Sequence, residues 1–359
     1  MDVAYTSIMN ILFLIISLVG GVIIFGLPIW NLARLRGLKH PLWIITPPVF
    51  FISFFALARV FEQQEMVGLF KFFSGASFYW LILGLALFVF SLVLFLVQKI
   101  FKISNTKIFW ITIGITLVFG LTAIINGQRI VIKEISLEAE NISRTYQFVQ
   151  ISDIQHGITN TKYTQRIIDN IQQIDPEFVV ITGDFIDEFY VEPKDINLFN
   201  QLSMPIYLIT GNHEYYLEAG TIERVISESQ IQLIDTMKIN YDELDIIGIN
   251  ELETIDGTLD TIGGIDETRY TIVLDHQPIT EEVYRASDRG ADLMLSGHTH
   301  NGQIWPMGLL VALRYPFVNG LYSINDMFLY VTQGTGTVGP LMRFGTVNEI
   351  TLITLEPIQ

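Results

Sequence analysis

Asp, Asn and His recur in this chain at the ends of apolar runs, in five short segments: ISDIQHG (151–157), ITGDFID (181–187), ITGNHE (209–214), LDHQP (274–278) and LSGHTHNGQ (295–303). Carboxylate and carboxamide oxygens, together with imidazole nitrogens, are the donors that hold divalent cations. Five of the six histidines fall in these segments; the sixth, His40, lies in a basic stretch far from them. Singly, each segment has a plainer reading. Asp153 would serve as a cap or turn residue, Gly183-Asp184 as a turn, Asn212 as a helix cap, and His298 and His300 as surface residues. Five coincidences of apolar run, small residue and ligand-type side chain are not explained that way. In GHTH, His298 and His300 stand two apart, and on an extended segment both would point one way. His276 follows a further apolar run in the same manner.

The elements that must hold these donors are legible from periodicity. Strand-like runs recur at 146–151, 178–182, 206–210, 245–249, 270–274, 292–295, 328–332 and 349–354. Helical spacing appears over 161–174, with Ile167, Ile168, Ile171 and Ile174 on one face, and over 214–229 and 280–289. Early alternation of strand and helix predicts partly parallel pairing, and the later strands are joined by shorter turns. The expectation for residues 131–359 is one α/β (α+β) domain, a two-sheet β-sandwich flanked by helices, with the donors on loops along one edge.

Taken in order, Asp153, Gly183-Asp184-Phe185-Ile186-Asp187, Gly211-Asn212-His213-Glu214, His276 and Gly297-His298-Thr299-His300 resemble the motif set of the calcineurin-like metallophosphoesterase superfamily. The resemblance covers essentially all of 146–359. The segments LDHQP, GHTHNGQIWP and TQGTGTVGPLMRFGT (332–346) are similar to the branch whose catalytic domain follows amino-terminal membrane spans. The resemblance implies a dinuclear metal centre at the strand ends. Asp184 would bridge both ions, Asp153 and His300 would hold the first, and Asn212, His276 and His298 the second. His213 matches the family's catalytic histidine, and Asp187 would orient a ligand or serve as a turn residue. Two cations about 3.5–4 Å apart polarise a phosphoryl group and lower the pKa of a bridging water, whose hydroxide attacks phosphorus. His213 would then hand a proton or hydrogen bond to the leaving oxygen.

One position departs from the pattern. The family's first motif runs Asp, any residue, His; here the third place holds Gln155, and His156 follows one place later. Either Gln155 supplies a carboxamide oxygen or a local bulge brings His156 to the ion. Strand alternation aims Gln155 with Asp153 and favours the former. An oxygen in place of a nitrogen favours Mn²⁺ over Zn²⁺ or Fe.

Composition divides the chain. Residues 1–130 carry nine Lys/Arg against three Asp/Glu, a balance of +6, whereas residues 131–359 carry twelve against thirty-four, a balance of −22. Residues 1–130 also contain four apolar stretches of membrane-spanning length (8–30, 41–61, 76–97 and 108–126), against the roughly 20 residues a span requires. The loops holding Arg34, Arg36 and Lys39, and Lys99, Lys102 and Lys107, are basic and should stay in the cytoplasm. The expectation is a multi-pass protein of the cytoplasmic membrane with its catalytic domain on the extracytoplasmic side.

The acidic domain argues against nucleic acid as a partner, because its capture rests on Lys and Arg; nothing in the sequence points to a protein partner. A phosphoester carried by a lipid or another envelope component suits a membrane tether. Residues 304–322, rich in Trp305, Pro306, Met307, Leu309, Leu310 and Phe317, are either a hydrophobic hairpin of the core or an apolar flap that dips into the bilayer beside the site and admits an acyl chain. Arg314 and Arg343 are candidates for phosphate clamps or structural ion pairs. The alternative to a hydrolase is a catalytically weakened extracytoplasmic module that binds metal and senses.

Overall fold

The computed structural model describes residues 22–157 and 159–358. The chain divides into two units, residues 1–122 and 123–359.

The first unit is helical. An apolar helical stretch, Val22–Leu35, precedes α1 (Leu42–Gln63), α2 (Val67–Phe101) and α3 (Asn105–Gly127), and these three are long and apolar enough to cross a membrane. Most of the expected span 8–30 lies outside the described residues. Polar residues inside the helices are satisfied locally: Ser77 donates to the Phe73 carbonyl, and Thr112 to that of Ile108. Pro47 and Pro48 lie within α1. The helices exceed the stretches read from hydropathy. The expected loop at 62–75 contracts to residues 64–66, and the one at 98–107 to residues 102–104. Hydropathy marks what lipid accepts, whereas a helix needs only its backbone hydrogen bonds and no breaker. Residues 67–75 contain no proline, and α2 runs on until Lys102 turns left-handed at φ 50°.

The second unit is built on two six-stranded mixed sheets. One runs β1 (Ile130–Ala139), β12 (Asn348–Pro357), β2 (Tyr146–Ile151), β3 (Val179–Thr182), β4 (Ile206–Ile209), β5 (Ile231–Leu233). The other runs β10 (Gly320–Ile324), β11 (Met327–Val331), β9 (Leu293–Ser296), β8 (Tyr270–Leu274), β7 (Leu244–Gly248), β6 (Met237–Tyr241). Strands β2 to β5 pair in parallel, as do β11, β9, β8 and β7, while β12 meets β2 antiparallel. The central strands VVIT, IYLI and LMLS are buried at every position, as strands covered on both faces must be.

Phe148, Phe178, Val180 and Ile209 of one sheet share a core with Leu244, Ile272, Leu274 and Leu295 of the other. Helix α4 (Thr161–Ile174) covers the outer face of the first sheet with Ile167, Ile168 and Ile171, and its N-terminus is capped by Asn160, which accepts from the Tyr163 N–H. Helices α5 (Ile255–Ile262) and α6 (Thr280–Asp288) cover the second sheet.

The eight expected strands are present within two residues at most of their ends, except that β12 extends to Pro357. Strands β1, β5, β6 and β10 and helix α5 are additional. The helix expected over 214–229 is instead a short 3-10 turn, Glu214–Tyr216, followed by Thr221–Ile226, because Gly220 adopts φ 82° between them.

Candidate metal centre

All five segments that carry metal-type donors leave the C-terminal ends of parallel strands: Asp153 after β2, Asp184 after β3, Asn212 and His213 after β4, His276 after β8, and His298 and His300 after β9. Parallel pairing places these ends on a common edge of each sheet. The two edges meet through side chains.

Once past the strands the backbone turns sharply. Asp153, Gln155, Asp184, His298 and His300 have φ values of 54°, 53°, 49°, 68° and 47°. Non-glycine residues in this region are uncommon and carry strain of order 1–3 kcal/mol each, and they gather where geometry is functionally constrained. This corrects the expectation from strand alternation: β9 ends at Ser296, and His298 and His300 lie on a left-handed turn. Their rings point to different neighbours. His298 Nδ1 lies 3.3 Å from His276 Nε2, whereas His300 Nε2 lies 3.3 Å from Asp153 Oδ1. Close approach also explains two glycines, since a Cβ on Gly183 would run into the His276 ring and one on Gly211 into the Asp184 carboxylate.

The tautomers are set by what surrounds them. His276 Nδ1 faces the Thr182 carbonyl at 2.8 Å, which can only accept, so Nδ1 carries the proton and Nε2 offers its lone pair. His276 Nε2 faces Asp184 Oδ2 at 3.2 Å, Asn212 Oδ1 at 3.2 Å and His298 Nδ1. His298 Nε2 stands 3.0 Å from the Tyr315 hydroxyl, which donates to Gln277 Oε1 at 2.5 Å. Nε2 is therefore the protonated nitrogen, and Nδ1 also turns its lone pair inward. One donor atom from each of Asp184, His276 and His298 falls within 4.8 Å of the others.

The electrostatics favour positive charge at this point. Burial alone would raise Asp184, but His276 and His213 beside it hold it below the usual carboxylate range. Burial would likewise depress His276, yet the Asp184 charge lifts it well above its ordinary value, so a cation binding at Nε2 displaces a proton held there. His298 and His300 are pushed down to about 3 by burial and stay neutral, as ligands must. Asp153 is raised by burial; both of its oxygens accept from the His298 N–H at 3.1 Å.

His213 and Asp187 form a pair at the mouth. His213 Nδ1 is in short contact with Asp187 Oδ1, and its Nε2 is 3.8 Å from Asp184 Oδ2. Burial would lower His213, but the Asp187 hydrogen bond and the Asp184 charge carry it up to about 9. Gln155 and His156 diverge. The His156 ring packs edge-on against Phe185 and Phe199, with centroids at 4.8 and 5.9 Å, and burial pushes it down to about 3. Gln155 is fully buried, and neither atom of its carboxamide has a hydrogen-bond partner among the described residues.

Several supporting residues have no signature in the sequence as individuals. Glu214 accepts from the N–H groups of Asp184 (3.2 Å), Ile186 (2.7 Å) and Gly211 (2.7 Å), tying the loops after β3 and β4 together. Its place in ITGNHE was the available hint. Gln277 had the same kind of hint in LDHQP, and Tyr315 lay within the apolar stretch 304–322. Arg343, a candidate clamp or ion-pair residue, is neither: it is completely buried, forms no ion pair among the described residues, and donates to the carbonyls of His300, Gln333 and Gly336. Arg314 is exposed and lies over the Tyr315 ring.

A calcineurin-like phosphoesterase family model matches residues 146–302. The chain is 30% identical over 277 residues to the uncharacterized metallophosphoesterase Cj0846 of Campylobacter jejuni, covering 72% of each chain. It is 28% identical over 240 residues to an uncharacterized metallophosphoesterase of Helicobacter pylori, covering 63% of this chain and 64% of that one. A transmembrane protein with metallophosphoesterase domain from Danio rerio is 29% identical over 284 residues, covering 70% of this chain and 63% of that one. The last two matches thus span a little under two thirds of those relatives. The site and its relatives define a phosphoesterase of the metal-dependent class. The chain belongs to the calcineurin-like phosphoesterase family.

The residues present fit the divalent ions that the family binds. Two inward lone pairs on His276 and His298 converge with Asp184 and Asn212. On the other side, His300 Nε2, 3.3 Å from Asp153 Oδ1, and the Gln155 carboxamide are buried without hydrogen-bond partners among the described residues. Unpartnered buried polar atoms are costly and call for a ligand.

Proposed function

We propose that this chain is a membrane-anchored phosphohydrolase with a dinuclear metal centre, acting on a phosphoester or pyrophosphate carried by a lipid or another envelope component. Asp153, Gln155, Asp184 and His300 would hold one ion, and Asp184, Asn212, His276 and His298 would hold the other. When bound, two such ions would polarise the phosphoryl oxygens and acidify a water. The convergence of Asp184, His276 and His298 within 4.8 Å is the observation that carries this reading.

The chain's own groups do the rest. Asp184 and Asp153 supply the negative charge that draws cations to a buried point, and the strained turns keep their carboxylates in place. His213, held by Asp187 and carried up to about 9, presents a protonated Nε2 toward the site, where it can give a proton to the departing oxygen. Asp187 is a positioning residue, since it meets the ring on the far nitrogen. We assign Gln155 to the first ion and not His156, whose ring is enclosed by Phe185 and Phe199. A carboxamide oxygen there favours Mn²⁺ over Zn²⁺ or Fe. The sensing-module alternative is not favoured, because the His213–Asp187 pair has no use in a module that only binds metal.

Helices α1 to α3 support membrane anchoring, and the basic loops around Arg34–Lys39 and Lys99–Lys107 support an extracytoplasmic catalytic domain. The full chain in detergent, assayed on a chromogenic phosphodiester with Mn²⁺, Zn²⁺ or chelator, tests the central claim. Turnover should vanish with chelator and in His213→Ala; a metal-bound but inert wild-type protein would refute hydrolysis. A reporter enzyme active only in the cytoplasm, fused after residue 359, should be silent, and full activity would reverse the orientation.

A further inference from the structure

Residues 304–318 are held at both ends to the walls of the site. At the start, the Trp305 N–H donates to the Phe344 carbonyl at 2.7 Å. At the end, the Tyr315 hydroxyl meets His298 and Gln277, and the Val318 carbonyl accepts from Thr299 Oγ1 at 2.6 Å. Between these anchors, helix α7 (Gly308–Val311) buries none of its residues. Trp305, Leu309, Leu310 and Leu313 are 64, 58–68 and 84% exposed in turn, with Leu309 at 68% and Leu310 at 58%. The core-hairpin expectation is therefore overturned for residues 305–313, whereas Phe317 and Tyr322 do pack against the core of the second sheet. One exposed leucine needs no explanation, but four large apolar side chains within nine residues, on a segment fixed in place, do.

Charge narrows what covers them. In a domain with thirty-four acidic residues, the stretch 293–325 has none, and its single basic residue is Arg314. An apolar ridge with a tryptophan at its start, one cation and no acid is the chemistry of an interfacial membrane contact, where anionic headgroups meet acyl chains. Chain connectivity supplies the bilayer: α3 ends at Gly127 and β1 begins at Ile130, so two residues separate the last apolar helix from the domain's first strand. We infer that residues 305–313 form a docking ridge that inserts into the lipid surface, so that the metal centre works on phosphoesters at that surface. This rests on the reading that α1 to α3 anchor the chain in a membrane.

The chain has no cysteine, so single-cysteine labels report from one place only. The full chain carrying Leu309→Cys, Leu313→Cys or, as a reference, Asp260→Cys (76% exposed) would be labelled with a nitrobenzoxadiazole fluorophore. Each variant is reconstituted into vesicles of phosphatidylethanolamine and phosphatidylglycerol, and its melting temperature is checked against the unlabelled chain. A quencher borne on the lipid chains should quench the labels at 309 and 313 several-fold more than the label at 260, and aqueous iodide should do the reverse. Labels at 309 and 313 as open to iodide as that at 260 would overturn the proposal. Shielding from iodide without quenching from the lipid would also overturn it, because a second copy would then be the cover. The measurement reads position and not turnover, so its failure leaves hydrolysis standing, and loss of hydrolysis leaves the ridge standing.

Discussion

The Tyr315 hydroxyl and His298 Nε2 stand 3.0 Å apart, and this contact decides which nitrogen of the histidine faces the site. Because the same hydroxyl donates to Gln277, it accepts from Nε2 and leaves Nδ1 free. Tyr315→Phe removes the acceptor while keeping the ring. Outer partners of this kind are worth about 10–100-fold in metal affinity. We expect Mn²⁺ affinity to fall by about tenfold or more in Tyr315→Phe, measured by calorimetric titration, with melting temperature little changed; unchanged affinity would show that the contact does not orient the ligand.

Gln155 and His156 should behave as opposites. Gln155→Ala removes a buried carboxamide that no described residue satisfies, and Mn²⁺ binding should weaken strongly. His156→Leu exchanges a neutral ring between Phe185 and Phe199 for an apolar side chain, and should keep metal affinity at the wild-type value. Metal titration of both variants checks this, and the reverse ranking would return His156 to the first site.

Glu214→Gln tests the clasp between the β3 and β4 loops. A carboxamide places its NH₂ group against a backbone N–H that now donates to the carboxylate. An unmade buried hydrogen bond costs about 1–3 kcal/mol. Thermal unfolding in detergent should show a loss of roughly 5 °C, given about 2–4 °C per kcal/mol for a domain of this size. Turnover should fall as well, since Asp184 and Gly211 are among the backbone groups released.

Arg343→Met removes the guanidinium donor from the carbonyls of His300, Gln333 and Gly336, of which that of His300 keeps the Gln303 N–H, at a cost of about 3–5 kcal/mol. The expected drop in melting temperature is on the order of 10 °C. Arg343→Lys should not rescue it, because an ammonium cannot span a fork of carbonyls and the Asn348 side chain.

Much of the fold was written in local pattern. VVIT, IYLI and LMLS are almost wholly apolar because both faces of the central strands are covered, and that signal survives without context. The ligand-type residues were legible because each follows such a strand. Less was legible where non-local contact decides. Strand β1 opens on IVIKE, which does not alternate, soon after the last apolar helix in sequence, and its ladder with β12 is what makes it a strand. The side-chain directions of Gln155, His298 and His300 depend on left-handed turns that no alternation rule contains. Tyr315 is seventeen residues from the histidine it serves. Arg343 looked like a charge in search of an anion, whereas its role is to bind carbonyls from two loops.

Strand β12 lies between β1 and β2, and its ten-residue ladder with β1 runs from Ile130 paired with Asn348 to Ala139 paired with Pro357. The sheet that presents Asp153, Asp184 and Asn212 after β2, β3 and β4 therefore gains β1 only once residues 348–357 are in place. Until then β1, the first strand made, and β2 have no common neighbour. A nascent chain lacking residues 348–357 would hold β1 and β2 apart, each with an open edge. The same ladder lies directly after the last apolar helix, so a pull on that helix would load all ten pairs together in shear.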